Sequence, residues 1–153
     1  MLRPLVDADL PAVAELFFAA VRRINVRDYT PAQVAAWAPE PQSSSRWRQR
    51  LEGQEVLVAD GAGQVVGFCS WTGAGYIDFL YVHPDHVGRG VASRLYAAVE
   101  AALRARGLSR IEVHVSVTAE PFFLRRGYRL VRRQLVLVRG VELGNAVMEK
   151  MLL

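Results

Sequence analysis

Between Glu55 and Ser116 the spacing of apolar residues changes period twice, and that alternation leaves few folds open to the chain. Three β-rich runs, EVLVAD, QVVGFCSW and YIDFLYVH, are separated by glycine turns at Gly61 to Gly63 and Gly73 to Gly75, the pattern of an antiparallel meander. Val91, Leu95, Ala98, Val99, Ala102 and Leu103 then recur at helical spacing as far as Gly107, a C-cap glycine. IEVHVSV follows as a strand buried on its Ile111, Val113, Val115 face. A helix of this length between YIDFLYVH and IEVHVSV lets those two strands lie parallel inside a sheet that is otherwise antiparallel.

The flanks extend the same sheet. Leu2 to Val6 reads as a short strand, Asp7 or Asp9 stands ready to cap, and Leu10, Val13, Phe17, Ala20 and Val21 line one face of a helix. Asp28 to Ser45 holds Pro31, Pro39, Pro41 and three consecutive serines, so it has room only for a short helix around Ala32 to Trp37, a loop and another short helix. Thr118 to Arg126 is a short helix stopped by Gly127, and the remainder is a hairpin turning at Arg139-Gly140. The expected architecture is α+β, in the order βααβββαβαββ: a central, mostly antiparallel mixed sheet with one parallel pair, flanked by helices. With no repeat or linker, residues 1–153 read as a single domain.

Composition narrows the function. At 153 residues, 52% hydrophobic and 22% charged, the chain is globular rather than disordered. No apolar run approaches the ~20 residues of a membrane span, and Asp7 and Asp9 interrupt the N-terminus where a signal peptide would stay apolar. Cys69 is the only cysteine, which rules out an internal disulfide or cysteine cluster and points to the cytoplasm. The +4 charge is almost all arginine, Lys150 being the only lysine, and suits an anionic partner. Those arginines are scattered without a basic tail or aromatic-basic signature, so the charge alone leaves nucleic acid, a phosphorylated cofactor and a solvated arginine-rich surface open. His83 and His86 flank Pro84 as turn residues, and without a third ligand no metal is expected.

The chemistry concentrates in VHPDHVGRGVAS, which joins the YIDFLYV strand to the amphipathic helix through a glycine-rich turn. The first turn of a helix has free N–H groups and a positive dipole end, and glycine lets a pyrophosphate approach the backbone. No G-K-[ST] follows, and no G-x-G-x-x-G is present, so this is neither a Walker loop nor a dinucleotide fingerprint.

This segment resembles the acetyl-CoA signature of the GNAT N-acetyltransferase superfamily, V-x-P-x-x-[RQ]-x-x-G-x-[GA]. Val82, Pro84, Gly90 and Ala92 match it, while Val87 stands at the [RQ] place. A second family pattern, N-x-x-A-x-x-F-[YF]-x-x-x-G-[FY], is similar to Ser116 through Tyr128, and the T-A-x-P-F-F form is that of a small bacterial single-domain branch. The resemblance implies acetyl-CoA as cosubstrate. By correspondence the backbones of Leu80, Tyr81 and Val82 hold the pantetheine arm, Leu80 N–H serves as the oxyanion donor, and Val87, Gly88, Arg89, Gly90, Val91, Ala92 and Ser93 hold the phosphates. Ser116, Ala119, Phe122 and Phe123 complete the cofactor side.

An acceptor amine must lose a proton, so a base is needed. Asp78, a carboxylate within an apolar run, is one candidate; Tyr76, two residues earlier on the same face, and His114, on the polar face of the next strand, are the others. Many members carry a tyrosine acid where this chain has Phe123, which cannot donate a proton and is expected to pack on pantetheine. Water, Tyr128 and Tyr29 are the alternatives for that acid, or none is needed because a CoA thiolate is already a tolerable leaving group. Tyr29, Trp37 and Trp47 are expected near the acceptor. The expected partner is an amine of a small molecule or peptide, with no nucleic acid or membrane, for a monomer or homodimer. The residues also leave open a catalytically silent acyl-CoA-binding module.

Overall fold

The computed structural model describes residues 1–152. Strand β1 (Leu2–Pro4) leads into α1 (Leu10–Arg23), followed by α2 (Pro31–Trp37) and α3 (Ser44–Arg50). Strands β2 (Glu55–Gly61), β3 (Gln64–Trp71) and β4 (Tyr76–Val82) form the expected meander. Helix α4 (Val91–Ala105) crosses to β5 (Arg110–Ser116), and α5 (Glu120–Leu124) precedes the hairpin of β6 (Arg129–Val138) and β7 (Val141–Met151). The sheet order is β1-β2-β3-β4-β5-β7-β6, with every neighbouring pair antiparallel except β4–β5.

Three local expectations change. β1 ends at Pro4, because the Val6 N–H turns to the Asp9 carboxylate at 2.8 Å instead of continuing the strand. Neither aspartate caps α1: Arg3 grips Asp9 through two bonds of 2.8 and 2.9 Å, and Arg48 holds Asp7. Three helices precede β2, one more than the order βααβββαβαββ counts, because both short helices expected in the proline-rich stretch form, Thr30 and Ser43 each accepting an N–H three residues on.

The sheet separates two cores. Leu95, Val99 and Leu103 of α4 pack with Ile111, Val113 and Phe123 on one face. Leu10, Val13 and Phe17 of α1 pack with Trp47, Phe68 and Phe79 on the other. α4 presses on β3 at Gly67, where an added Cβ would come within 2.8 Å of Val91 Cγ1 and 3.2 Å of the Tyr81 carbonyl oxygen.

One irregularity shapes everything downstream. Ser70 pairs with Phe79 and Trp71 with Ile77, so Asp78 is an extra residue in β4, a β-bulge. The fully buried Ser70 hydroxyl accepts the Phe79 N–H at 3.2 Å beside the bulge. Ile77 therefore belongs to the core under α4, while Phe79, two residues on, belongs to the core under α1. The β4–β5 ladder consists of Tyr76 with Glu112 and Ile77 with Val113; beyond that pair the two strands part.

Candidate active site

Where β4 and β5 separate, a cleft of about 240 Å³ opens. Leu80, Tyr81 and Val82 form one wall, His114, Val115 and Ser116 the other, with Phe122 and Phe123 below. The orientation of the β4 backbone follows from its pairing. His83 N–H donates to Val66 O at 2.8 Å, so by alternation Phe79 and Tyr81 turn their N–H and C=O toward β3. Leu80 and Val82 then present theirs to the gap, where β5 has moved away. Tyr81 also lines the cleft, but its backbone serves the sheet and its ring packs against Phe17 at 4.9 Å, which departs from the expectation of three backbone contacts.

The cleft runs toward the start of α4. Val87 and Ala92 line it, and Gly88 and Gly90 have φ of +77° and +78°, a conformation that costs a side-chain-bearing residue. Gly90 offers no side chain as N-cap, and the first intrahelical bond runs from Arg94 N–H to Gly90 O at 3.0 Å. The N–H groups of Val91, Ala92 and Ser93 therefore have no helical acceptor. The Val91 side chain is buried in the core and leaves only its backbone for a ligand. Arg89, Arg94 and Arg126 surround this end: Arg94 donates to the Arg89 carbonyl at 3.1 Å, and Arg126 donates to Ser93 Oγ at 2.6 Å while lying 3.5 Å over the Phe122 ring. An anion set here meets oriented N–H donors, a helix dipole and three guanidiniums.

The three candidate bases differ in placement. Asp78 lines the cleft, with Oδ2 taken by Gln54 Nε2 at 2.7 Å. His114 lines it from β5, with Nε2 3.0 Å from Glu112 Oε2 and its ring edge-to-face with Tyr76 at 5.2 Å. The hydrogen bond from Arg110, then that from His114, holds the Glu112 carboxyl below its usual range, so it remains an anion facing the imidazole. Tyr76 is not among the cleft residues, and burial, with Asp78 and Glu112 nearby, pushes its phenol up to about 12. A phenol so raised stays protonated at neutral pH, which argues against Tyr76 as the base.

The expected aromatic acceptor residues are structural instead. Tyr29 donates to Gly144 O at 2.6 Å and accepts from Val117 N–H at 2.9 Å, so its hydroxyl ties the segment before α2 to β7 and is spent. Trp37 leans on Tyr29 at 5.3 Å, and Trp47 is fully buried. Neither tyrosine alternative to Phe123 is available, since the Tyr128 hydroxyl meets Tyr96 at 3.0 Å inside the core. Phe123 is buried among Phe122, Tyr128 and Tyr96 with its ring at the cleft. Burial pushes the Cys69 thiol up, which keeps it a packed strand residue. His83 accepts the Asp85 N–H at 3.1 Å, as a turn residue does.

Two cleft residues escaped the sequence reading. Asn25, just past α1, is buried and donates to Ser116 Oγ at 3.3 Å; a lone polar residue after a helix has no distinguishing pattern. Thr118 lines the cleft with a buried hydroxyl that has no partner, and the T-A-x-P-F-F match was the available signal. Among the described residues no group of three or more histidine, cysteine or acidic side chains is placed to hold a metal ion, and no helix is long and apolar enough to cross a membrane.

A strand pair parted by a bulge, with a glycine-led helix at its mouth, is now matched by comparison. Residues 25–150 match the acetyltransferase (GNAT) domain. The chain belongs to the GNAT acetyltransferase family. The uncharacterized N-acetyltransferase YafP of Escherichia coli (strain K12) is 36% identical over 140 residues, 92% of this GNAT chain and 88% of the relative. A GCN5-related N-acetyltransferase structure from Rhodopseudomonas palustris aligns with a TM-score of 0.94 at 39% identity, covering 99% of this chain and 95% of the other. The PaiA N-acetyltransferase of Thermoplasma acidophilum, solved with coenzyme A, shares the GNAT fold at a TM-score of 0.75 and 16% identity, over 99% and 98% of the two chains. The mixed sheet with its single parallel pair is the GNAT architecture, and the chain is an acetyltransferase of that family.

Proposed function

We propose that this protein transfers acetyl from acetyl-CoA to a primary amine of a small molecule or peptide by direct attack within a ternary complex. The observation that carries the reading is the unpaired inner edge of β4: Leu80 and Val82 present backbone groups to a cleft that ends at the open N–H groups of α4. An amide-bearing chain fits that edge as a neighbouring strand, and the Thr118 hydroxyl is an unpartnered polar group in the same cleft. Acetyl-CoA supplies the activated acyl group and a thiolate leaving group. Leu80 N–H stabilises the negative charge that develops on the carbonyl oxygen, as a fixed donor does without reorganising.

Asp78 is the proposed base. Gln54 fixes Oδ2 and leaves Oδ1 to accept the ammonium proton of the acceptor, directly or through one water. His114, held by Glu112, stands on the opposite wall as the group that passes the proton to solvent. No tyrosine acid is invoked, because a CoA thiolate leaves without one.

Calorimetry with acetyl-CoA followed by thiol release with an amine panel tests this. Asp78→Asn is expected to keep acetyl-CoA affinity within about twofold and lose about 10²-fold or more in kcat, the usual worth of a positioned base. Saturable binding with no thiol release for any amine would instead establish a silent acyl-CoA-binding module.

A further inference from the structure

A guanidinium in a partly buried position almost always finds acceptors for its five N–H donors, and Arg50 at the end of α3 finds none. No hydrogen bond or ion pair among the described residues involves its side chain, and none of its nitrogens is sealed from solvent. Its carbon lies 4.6 Å from the Trp47 ring centroid, 4.8 Å from Phe79 and 5.4 Å from Phe17. These rings set the plane and remove the flexibility of a surface arginine. Arg50 does not itself line the cleft; Asp78 and Tyr81, both cleft residues, are near enough to act on its charge, and the Arg50 carbonyl shares the Gln54 amide that holds Asp78, at 3.2 Å.

The surroundings are positive. Arg46 precedes Arg50 by one helical turn, and Arg139 reaches the same place from the β6–β7 turn, its Nη1 donating 2.8 Å to the Ala36 carbonyl; both lie close enough to disfavour the Arg50 charge. Arg46 likewise has no ion-pair partner, and Arg139 pairs only with carbonyls. Asp78 is the opposing carboxylate, and its Oδ2 accepts from Gln54 rather than from Arg50. A fixed cation with free donors beside a carboxylate with one free oxygen is the complement of a molecule that carries an ammonium and an anion a few bonds apart.

We infer that the acceptor is an amine bearing a carboxylate or similar anion near its nitrogen, and that Arg50 is the residue that seats this anion, with Arg46 and Arg139 adding to the field. This rests on the acetyltransferase reading above and deepens it. The ammonium lies toward Asp78 and the anion toward Arg50, which orients the nitrogen at the point where β4 and β5 part. Fork geometry suits a planar carboxylate, which Lys matches only as a point charge.

The test uses matched pairs: phenylalanine, β-alanine and 4-aminobutyrate, each against its carboxamide, with thiol release compared per mole of unprotonated amine. The wild-type protein is expected to prefer at least one carboxylate over its carboxamide by about tenfold or more in kcat/KM. Arg50→Gln is expected to bring that ratio near one through a higher KM for the carboxylate, and Arg50→Lys to keep part of it. The exposed-site variants Arg46→Gln and Arg139→Gln are each expected to lower it about two- to threefold, which guards against an Arg50 variant that fails to fold. A wild-type preference for carboxamides, equal use of both members of every pair, or an Arg50→Gln protein that loses both substrates in proportion would overturn the inference while leaving the acetyltransferase reading standing. Absence of thiol release with every amine would overturn both.

Discussion

At the scale of single residues the site is defined by what each polar atom is already doing. Tyr29 and Tyr128 are excluded as acids because each hydroxyl is committed, one to Gly144 and Val117, the other to Tyr96. Asp78 is the proposed base because only one of its oxygens is taken, by Gln54. Phe123 poses the complementary question, since the family resemblance implies a tyrosine acid at that place. Its ring is buried edge-to-face with Phe122 at 5.2 Å and Tyr128 at 5.0 Å, so it acts by packing. Phe123→Tyr is therefore expected to leave kcat and its pH profile within about twofold of wild type. Its hydroxyl, if buried unpaired, should lower stability by about 1–3 kcal/mol in urea unfolding. A faster enzyme with a new alkaline limb in the profile would show that the missing acid limits turnover.

Among elements, the seat of α4 on β3 sets the end of the cleft proposed for the phosphates. Gly67 lets Val91 approach the sheet, and Val91 is the first residue of the helix whose free N–H groups face the mouth. Gly67→Ala brings a Cβ within 2.8 Å of Val91 Cγ1. It is expected to weaken acetyl-CoA binding severalfold by calorimetry and to lower the melting temperature. Adding Val91→Ala should recover much of the binding, a non-additivity that a general loss of packing would not produce. The same scale explains what was legible beforehand. The meander, the crossover and the parallel pair followed from hydrophobic period, and the turn into α4 from glycine spacing ahead of an amphipathic helix. The bulge at Asp78 was not legible, because alternation in YIDFLYV reads as regular; only the Ser70 hydroxyl and the β3 register show that one residue is extra. Tyr81 was grouped with Leu80 and Val82 although strand alternation alone turns its backbone the other way, and Arg50 was passed over as one arginine among many because its unpaired state depends on residues distant in sequence.

For the molecule as a whole, the elements that frame the cleft are joined through one carboxylate. Glu100 on α4 accepts from Lys150 of β7 at 2.7 Å, Tyr96 at 2.7 Å and Arg104 at 3.1 Å, and Arg104 also donates to the Leu152 carbonyl at 2.9 Å. Tyr96 has one proton, given to Glu100, so Tyr128 donates to Tyr96 and brings the junction after α5 into the same chain of bonds. Burial alone would raise the Glu100 pKa; the bonds from Lys150, Tyr96 and Arg104 outweigh it and hold the group at about 2. Since the folded value is depressed below the unfolded 4.5, the stabilisation is fully present above pH 4.5 and is lost as pH falls toward 2. Its size is on the order of 3 kcal/mol, with about 2 kcal/mol gone by pH 3. Glu100→Gln is expected to be less stable than wild type at pH 7, and the gap between the two in urea unfolding should narrow by about that amount between pH 5 and pH 3. Other carboxylates titrate in both proteins and cancel in the difference, so a gap independent of pH would remove Glu100 as the acid-sensitive tie between α4 and the sheet. The consequence for function is specific: because the proposed acetyl-CoA site spans the start of α4 and the β4 edge of the sheet, acid should weaken acetyl-CoA binding in the wild type over the same interval, ahead of global unfolding.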